Sequence, residues 1–343
     1  MYSEYSELLD ISIMDKVDKQ GMYKIYDIWP QIAADSYNKK HNPVDYKNID
    51  HIVFAGMGGS GAIGDLFSSI LSKTNIHVSL VKGYILPKTV DANTLVITVS
   101  VSGNTVETLT VLDSASKLDC KLIAFSSGGK MERYCKKNHI EYRNIPKIHS
   151  PRVSFISYIY SILGTLNSII PISKQDIAES IAELTKISKQ ISSSNLSKTN
   201  PSLNIAEWLS GIPLIYYPWG LQAAAVRFKN SLQENAKSHA TIEDVIEASH
   251  NSIVSWENPS SVKPILLQGK DDYVKTKERW NILKDYFAQN NIDYKEIISV
   301  KGSILTKLVC LIYLLDYASI YYAVISGLDP SPVKSIDFVK ERL

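Results

Sequence analysis

The stretch His51-Ile-Val-Phe-Ala-Gly-Met-Gly-Gly-Ser60, continued by Gly61-Ala-Ile-Gly-Asp65, decides the fold. Residues 52–55 are a short apolar run, as in a strand buried on both faces. Glycines follow at 56, 58, 59 and 61, and Ile63, Leu66, Phe67, Ile70 and Leu71 then fall at helical spacing. Strand, glycine turn and helix in that order predict a phosphate cradle. Glycines let the backbone come close to an anion, and a helix start offers N–H groups and a partial positive charge.

Which phosphate is meant depends on what comes next. Gly56-x-Gly58-x-x-Gly61 formally matches the dinucleotide fingerprint, which also wants an acidic residue ending the second strand. The second strand, 76–81, ends instead in Lys82-Gly83. No carboxylate is there, although a lysine could meet a 2′-phosphate. A glycine turn with no ligand is the other alternative. The run Thr94-Leu-Val-Ile-Thr-Val-Ser100-Val-Ser102-Gly103-Asn104-Thr105 weighs against both. It reads as an apolar strand ending in a hydroxyl-rich turn, with a helix over 106–115. Ser100, Ser102 and Thr105 offer neutral donors to one small anion, which suits a phosphate monoester that must be bound and released. Together, Gly58-Gly59-Ser60 and Ser100-x-Ser102-Gly-Asn-Thr105 resemble the sugar isomerase (SIS) domain.

Around these turns strands and helices alternate. Strands are expected at 52–55, 78–81, 95–99, 122–126 and 142–145, which predicts a parallel sheet with helices on both faces. Gly128-Gly129 is a third turn on the same sheet edge. The pattern restarts after residue 200, with strands at 212–217, 264–268 and 294–298 and helices over 221–235 and 274–290. The glycine-rich cradle is missing there, so phosphate is expected in the first domain alone. Residues 305–325 read as a core helix, and 333–343 as a last helix whose apolar face includes Val333, Ile336, Val339 and Leu343. The fold class is therefore α/β, with two SIS-type, doubly wound parallel-sheet domains. Residues 1–167 would hold the N-terminal helices and the phosphate-binding domain, 168–200 a helical connection, and 201–343 the second domain with its C-terminal helix.

At 343 residues the chain can bury two cores of ordinary size. A net charge of +2 argues against a nucleic-acid surface or a polybasic membrane patch. No stretch of about 18 uncharged apolar residues reads as a membrane span. Met-Tyr-Ser-Glu-Tyr-Ser-Glu at the start lacks a basic and an apolar region, so no signal peptide is expected and the cytoplasm is the expected compartment. Three cysteines without metal spacing fit a reducing environment.

Further residues carry a closer resemblance. Phe228-Lys-Asn-Ser-Leu-Gln-Glu234-Asn-Ala-Lys237, Glu247-Ala-Ser-His250-Asn251, Pro151-Arg152 and Asp329-Pro-Ser-Pro-Val333 with the later Lys340 are similar to motifs of the bifunctional phosphoglucose/phosphomannose isomerases of archaea and some bacteria. Ser331 stands where that family more often has threonine. The resemblance implies an aldose–ketose isomerase acting through a cis-enediol(ate), a homodimer with shared sites, and no metal, flavin or nicotinamide. It implies phosphate binding at Gly58, Gly59, Ser60, Ser100, Ser102 and Thr105. The chemistry agrees. Moving a proton between C1 and C2 needs a carboxylate, for which Glu234 is the candidate. The enediolate needs a fixed cation, which Arg152 supplies. Opening the sugar ring needs proton transfer, which suits His250 and Lys340. His51 and His149, expected near the same sheet edge, are rival acid–base groups. A pentose-phosphate isomerase of the same domain type, or a non-catalytic sugar-phosphate sensor, remains an alternative.

Overall fold

The computed structural model describes residues 9–342. The reading of residues 1–7 as no signal peptide, and Leu343 in the last apolar face, lie outside them. In chain order the helices and strands are α1 (Ile11–Val17), α2 (Met22–Asp27), α3 (Trp29–Asn38), β1 (His51–Ala55), α4 (Gly59–Leu71), β2 (His77–Val81), β3 (Thr94–Ser100), α5 (Val106–Ala115), β4 (Lys121–Ser126), α6 (Gly129–Lys137), β5 (Glu141–Asn144), α7 (Phe155–Thr165) and α8 (Lys174–Ile191). There follow α9 (Pro201–Trp208), β6 (Ile212–Tyr217), α10 (Gln222–Asn235), β7 (Thr241–Asp244), α11 (Val245–Ala248), β8 (Val262–Gln268), α12 (Val274–Gln289), β9 (Lys295–Ile298), α13 (Ile304–Ile325) and α14 (Lys334–Lys340).

Two compact units result. One comprises Ile28–Ile177 with Ser335–Leu343, the other Met1–Asp27 with Ala178–Lys334. This grouping differs from the expected 1–167, 168–200 and 201–343 in where it assigns the first 27 residues and the last nine, and it divides the connection after Ile177. The fold class is the expected one: each unit is built on a parallel sheet with helices.

The first sheet has the order β2-β1-β3-β4-β5, all parallel. β1 and β3 are buried along their whole length, which is why both read as continuous apolar runs rather than alternating ones. Val53, Ala55, Val81, Val96, Val111 and Ala115 form one cluster against this sheet. Phe54 stacks on Phe67 at 5.1 Å between ring centres. Gly64 admits α4 to β1, since a Cβ there would stand 2.9 Å from the Phe54 Cβ. Burying each such apolar side chain is worth roughly 1.5–3 kcal/mol. Chain order steps outward to β2 on one side of β1 and to β3 on the other, so a crevice opens beyond the carboxyl ends of β1 and β3.

The second sheet repeats that plan as β7-β6-β8-β9, again all parallel. Tyr216, Val245, Leu266, Trp280, Leu283 and Phe287 make its core. β7 and α11 escape the sequence reading, because Thr241-Ile-Glu-Asp244 is short and mostly polar. α13 is long and apolar enough to cross a membrane, yet 89% of its apolar window is buried within the protein. It packs on α9 and α10. The N-terminal helical region is three helices broken at Gly21, which sits at φ 65°, and at Ile28 before Pro30.

Candidate active site

The glycine turn and the hydroxyl turn end β1 and β3, the two strands that flank the crevice. α4 starts with Gly58 as its N-cap and α5 with Thr105, and neither start carries a side-chain cap. Gly58 holds φ 53°, which glycine adopts without strain. Gly56 and Gly61 face each other so closely that a Cβ on Gly61 would stand 2.9 Å from the Gly56 carbonyl oxygen. The amides of Ser60 and Gly61 bond back to the Met57 carbonyl. Those two amides are therefore already used within the turn.

The two turns are tied together. The Val101 amide donates to Ser60 Oγ at 3.4 Å. Ser100 is buried, its Oγ 2.9 Å from Thr105 Oγ1, and it accepts from the Gly103 amide at 3.1 Å. Thr105 thus turns its hydroxyl to Ser100 instead of capping its own helix. Ser102 lies on the exposed rim, where its Oγ accepts from the Asn104 amide at 3.2 Å.

Arg152 belongs to the same neighbourhood. A Cβ on Gly59 would stand 3.3 Å from the Pro151 carbonyl oxygen and 3.4 Å from the Arg152 Cα. Arg152 is 4% exposed, in the turn just before α7 rather than within its helix. Its segment is fixed on both sides. Ser154 Oγ accepts from the Ile148 amide at 2.9 Å, Trp29 Nε1 donates to the Val153 carbonyl at 3.1 Å, and Tyr158 donates to the Ile145 carbonyl at 3.0 Å. The close approach of Gly59 to Arg152 is the feature sequence reasoning missed. Its signal is a second glycine before the serine, where one would make the turn.

Two earlier expectations are corrected. Lys82 does not wait for a 2′-phosphate: its Nζ lies 2.6 Å from both carboxylate oxygens of Asp65 on α4. His51 opens β1 and so lies at the amino end of the strands, opposite the turns. There its Nε2 is 2.9 Å from Ser79 Oγ and its Nδ1 is 3.3 Å from Thr94 Oγ1. Burial, followed by the neighbouring His77, holds its pKa below the ordinary 6.5. His149 remains on the Arg152 segment, at φ 56°.

The other unit carries Glu234 and His250. Glu234 is half-buried in the last turn of α10. That helix is anchored by a buried ion pair, Arg227 with Asp316 of α13, at 2.7 Å. Ser231 donates to Asp316 Oδ1 at 2.5 Å and Tyr26 to Oδ2 at 2.9 Å. Burial, the largest single influence, would lower the Arg227 pKa, but the charge and hydrogen bonds of Asp316, with Tyr26 and Glu234, together raise it. The end of α10 is held by Lys237. Its Nζ donates to the carbonyls of Asp329 at 2.7 Å, Asn235 at 3.0 Å and Glu234 at 3.1 Å, as suits a cation at a helix C-terminus. His250 is exposed in the turn after α11, where Asn251 Nδ2 donates to Glu247 Oε1 at 2.8 Å. Asp329 accepts from the Ser331 amide at 2.9 Å, closing the turn that precedes α14. Lys340 is exposed in the last turn of α14, within the first-sheet unit.

A parallel sheet whose switch point carries glycine and hydroxyl turns defines a protein of the SIS class. Residues 45–167 match the SIS domain family, and residues 198–343 match the bacterial phospho-glucose isomerase C-terminal SIS domain. The chain belongs to the bifunctional phosphoglucose/phosphomannose isomerase family. It is 32% identical over 339 residues to the bifunctional phosphoglucose/phosphomannose isomerase of Caldicellulosiruptor bescii, covering 94% of this chain and 96% of that one. It is 30% identical over 341 residues to the protein of the same name from Aquifex aeolicus, covering 96% and 99%. A hypothetical protein from Thermus thermophilus shares the fold at TM-score 0.70 and 13% identity, over 97% of this chain and 89% of that one.

Proposed function

We propose that this protein interconverts glucose 6-phosphate and mannose 6-phosphate with fructose 6-phosphate through a cis-enediol(ate). The observation that carries the reading is the joined pair of turns at the first switch point, Ser60 with Ser100 and Thr105. Family membership supports the reaction type.

The phosphate is held by Gly58, Gly59, Ser60, Ser100, Ser102 and Thr105, through hydroxyls and amides that bind a dianion without locking it in place. Glu234 takes the proton from one carbon and returns it to the next. Arg152, a buried cation beside the turn, stabilises the enediolate charge. His250 and Lys340 move the protons that open the sugar ring. A planar enediol can be protonated on either face, so one site serves both aldoses if the sugar has room to rotate. The chain acts in the cytoplasm as a homodimer, with His250 reaching its partner's site.

A coupled assay with each aldose phosphate, run with a chelator present, tests this. Turnover of both supports the reading; turnover of neither ends it. Mixing Glu234→Gln and His250→Ala variants tests the shared site: the mixed dimer regains activity, and a mixture that stays inactive contradicts sharing.

A further inference from the structure

Gly128-Gly129 is a glycine turn on the phosphate edge of the first sheet, and the proposed reaction assigns it no part. It follows β4, next to β3, and it opens α6. Its geometry is that of a brace rather than a cradle. Gly129 holds φ 77°, and a Cβ there would stand 2.6 Å from the Ser102 carbonyl oxygen and 2.9 Å from Asn104 Oδ1. From the other side, a Cβ on Gly103 would stand 1.8 Å from the Gly128 carbonyl oxygen. The two turns are in backbone contact, and only glycine fits at their meeting point.

Hydrogen bonds lock that contact. The Met131 amide donates to the Gly103 carbonyl at 2.9 Å, and the Ser127 amide to the Val101 carbonyl at 3.2 Å. Ser127 Oγ donates to the same Val101 carbonyl at 2.6 Å. Asn104 spans both turns: its Oδ1 accepts from the Lys130 amide at 3.0 Å, and its Nδ2 donates to the Ser102 carbonyl at 3.1 Å. The hydroxyls of Ser100, Ser102 and Thr105 sit on a loop otherwise held by its own internal bonds and by the Val101 amide on Ser60 Oγ. An anion held by several neutral donors needs all of them in place at once, so loosening the loop weakens binding more than chemistry.

We propose that Asn104 and Gly129 are positioning residues that set the affinity for the phosphate group by holding the Ser100–Thr105 turn in its binding shape. The inference rests on the reading of that turn as the phosphate site. Neither residue is assigned a contact with substrate.

The test compares Gly129→Ala and Asn104→Ala with Gly83→Ala, a control at a glycine with nothing within 4 Å of an added Cβ. For each, KM and kcat with fructose 6-phosphate are measured, together with the Kd of inorganic phosphate. Both brace variants raise KM and the phosphate Kd about tenfold while kcat falls less than about threefold, and Gly83→Ala changes neither. Should Gly129→Ala fail to fold, Asn104→Ala reads the same quantity, because it adds no atom to the crowded contact. Unchanged KM and phosphate Kd in a folded variant overturn the inference and leave the function standing. A wild-type protein that neither binds phosphate nor turns over the sugar overturns the function itself.

Discussion

The two sheets share one strand order and differ at their switch points. Beyond β1 and β3 the chain places glycines and hydroxyls. Beyond β6 and β8 it places Pro218-Trp219-Gly220 and Gly269-Lys270-Asp271-Asp272. Asp272 fills the second position with the chain's own anion. Its Oδ2 accepts from the Gly269 amide at 2.9 Å and from Trp280 Nε1 at 3.0 Å, and a Cβ on Gly269 would stand 2.1 Å from its Oδ1. Trp219, 76% exposed, stands where the first sheet has its cradle. A phosphate arriving beyond β8 would meet a carboxylate that already takes the Gly269 amide and the Trp280 indole. Topology alone makes a crevice, and the side chains decide whether it is left open for a ligand or sealed from within.

The largest effect expected from this contrast lies in chemistry. If the second-sheet unit supplies the base and not the phosphate site, Glu234→Gln lowers kcat about 10²- to 10⁴-fold, with a KM change of less than about threefold. Steady-state kinetics on fructose 6-phosphate decide this, and a loss confined to KM would break the division of labour. Next comes the anchor of α10. Asp316→Ala takes the carboxylate partner from buried Arg227, which costs about 3–5 kcal/mol by denaturant unfolding; a cost below about 1 kcal/mol would mean that the pair does not hold the helix.

Asp272→Ala sharpens the comparison itself. It strips the Gly269 amide and the Trp280 indole of their acceptor, at a cost of about 1–3 kcal/mol, and leaves inorganic-phosphate affinity at the first switch point unchanged. The smallest effect is at the amino end of the first sheet. Folding lowers the His51 pKa, so as pH falls through 6.5 the unfolded chain takes up a proton more readily than the folded chain. Its contribution is complete above pH 6.5 and is lost as pH falls below that, by at most about 1.4 kcal/mol per pH unit. Thermal unfolding from pH 8 to 5 should show a shallower decline for His51→Asn than for the wild type. Parallel curves would remove His51 as the cause.

Much of the first unit was legible because its signals are local. Apolar runs at 52–55 and 95–99 lie in fully buried strands, and glycine or hydroxyl residues follow them directly in sequence. His51 misled, because adjacency to the glycine strand suggested the wrong end of it: five residues of strand separate the two edges. The Arg152–Gly59 approach, the Asn104 bridge and the Asp65–Lys82 pair are contacts between distant stretches, which no spacing rule reports. Nothing in the sequence around Asp272 sets it apart, and only the amide and indole that it accepts from mark it as an internal plug. β7 stayed hidden because a short edge strand with Thr, Glu and Asp has no apolar period to read.

Calorimetric titration of the wild type with fructose 6-phosphate tests the central claim most directly, repeated on Ser100→Asp, which places a carboxylate in the first crevice. One site per chain, abolished by that substitution and untouched in Asp272→Ala, is the predicted result. Two sites per chain, or undiminished binding in Ser100→Asp, would contradict it.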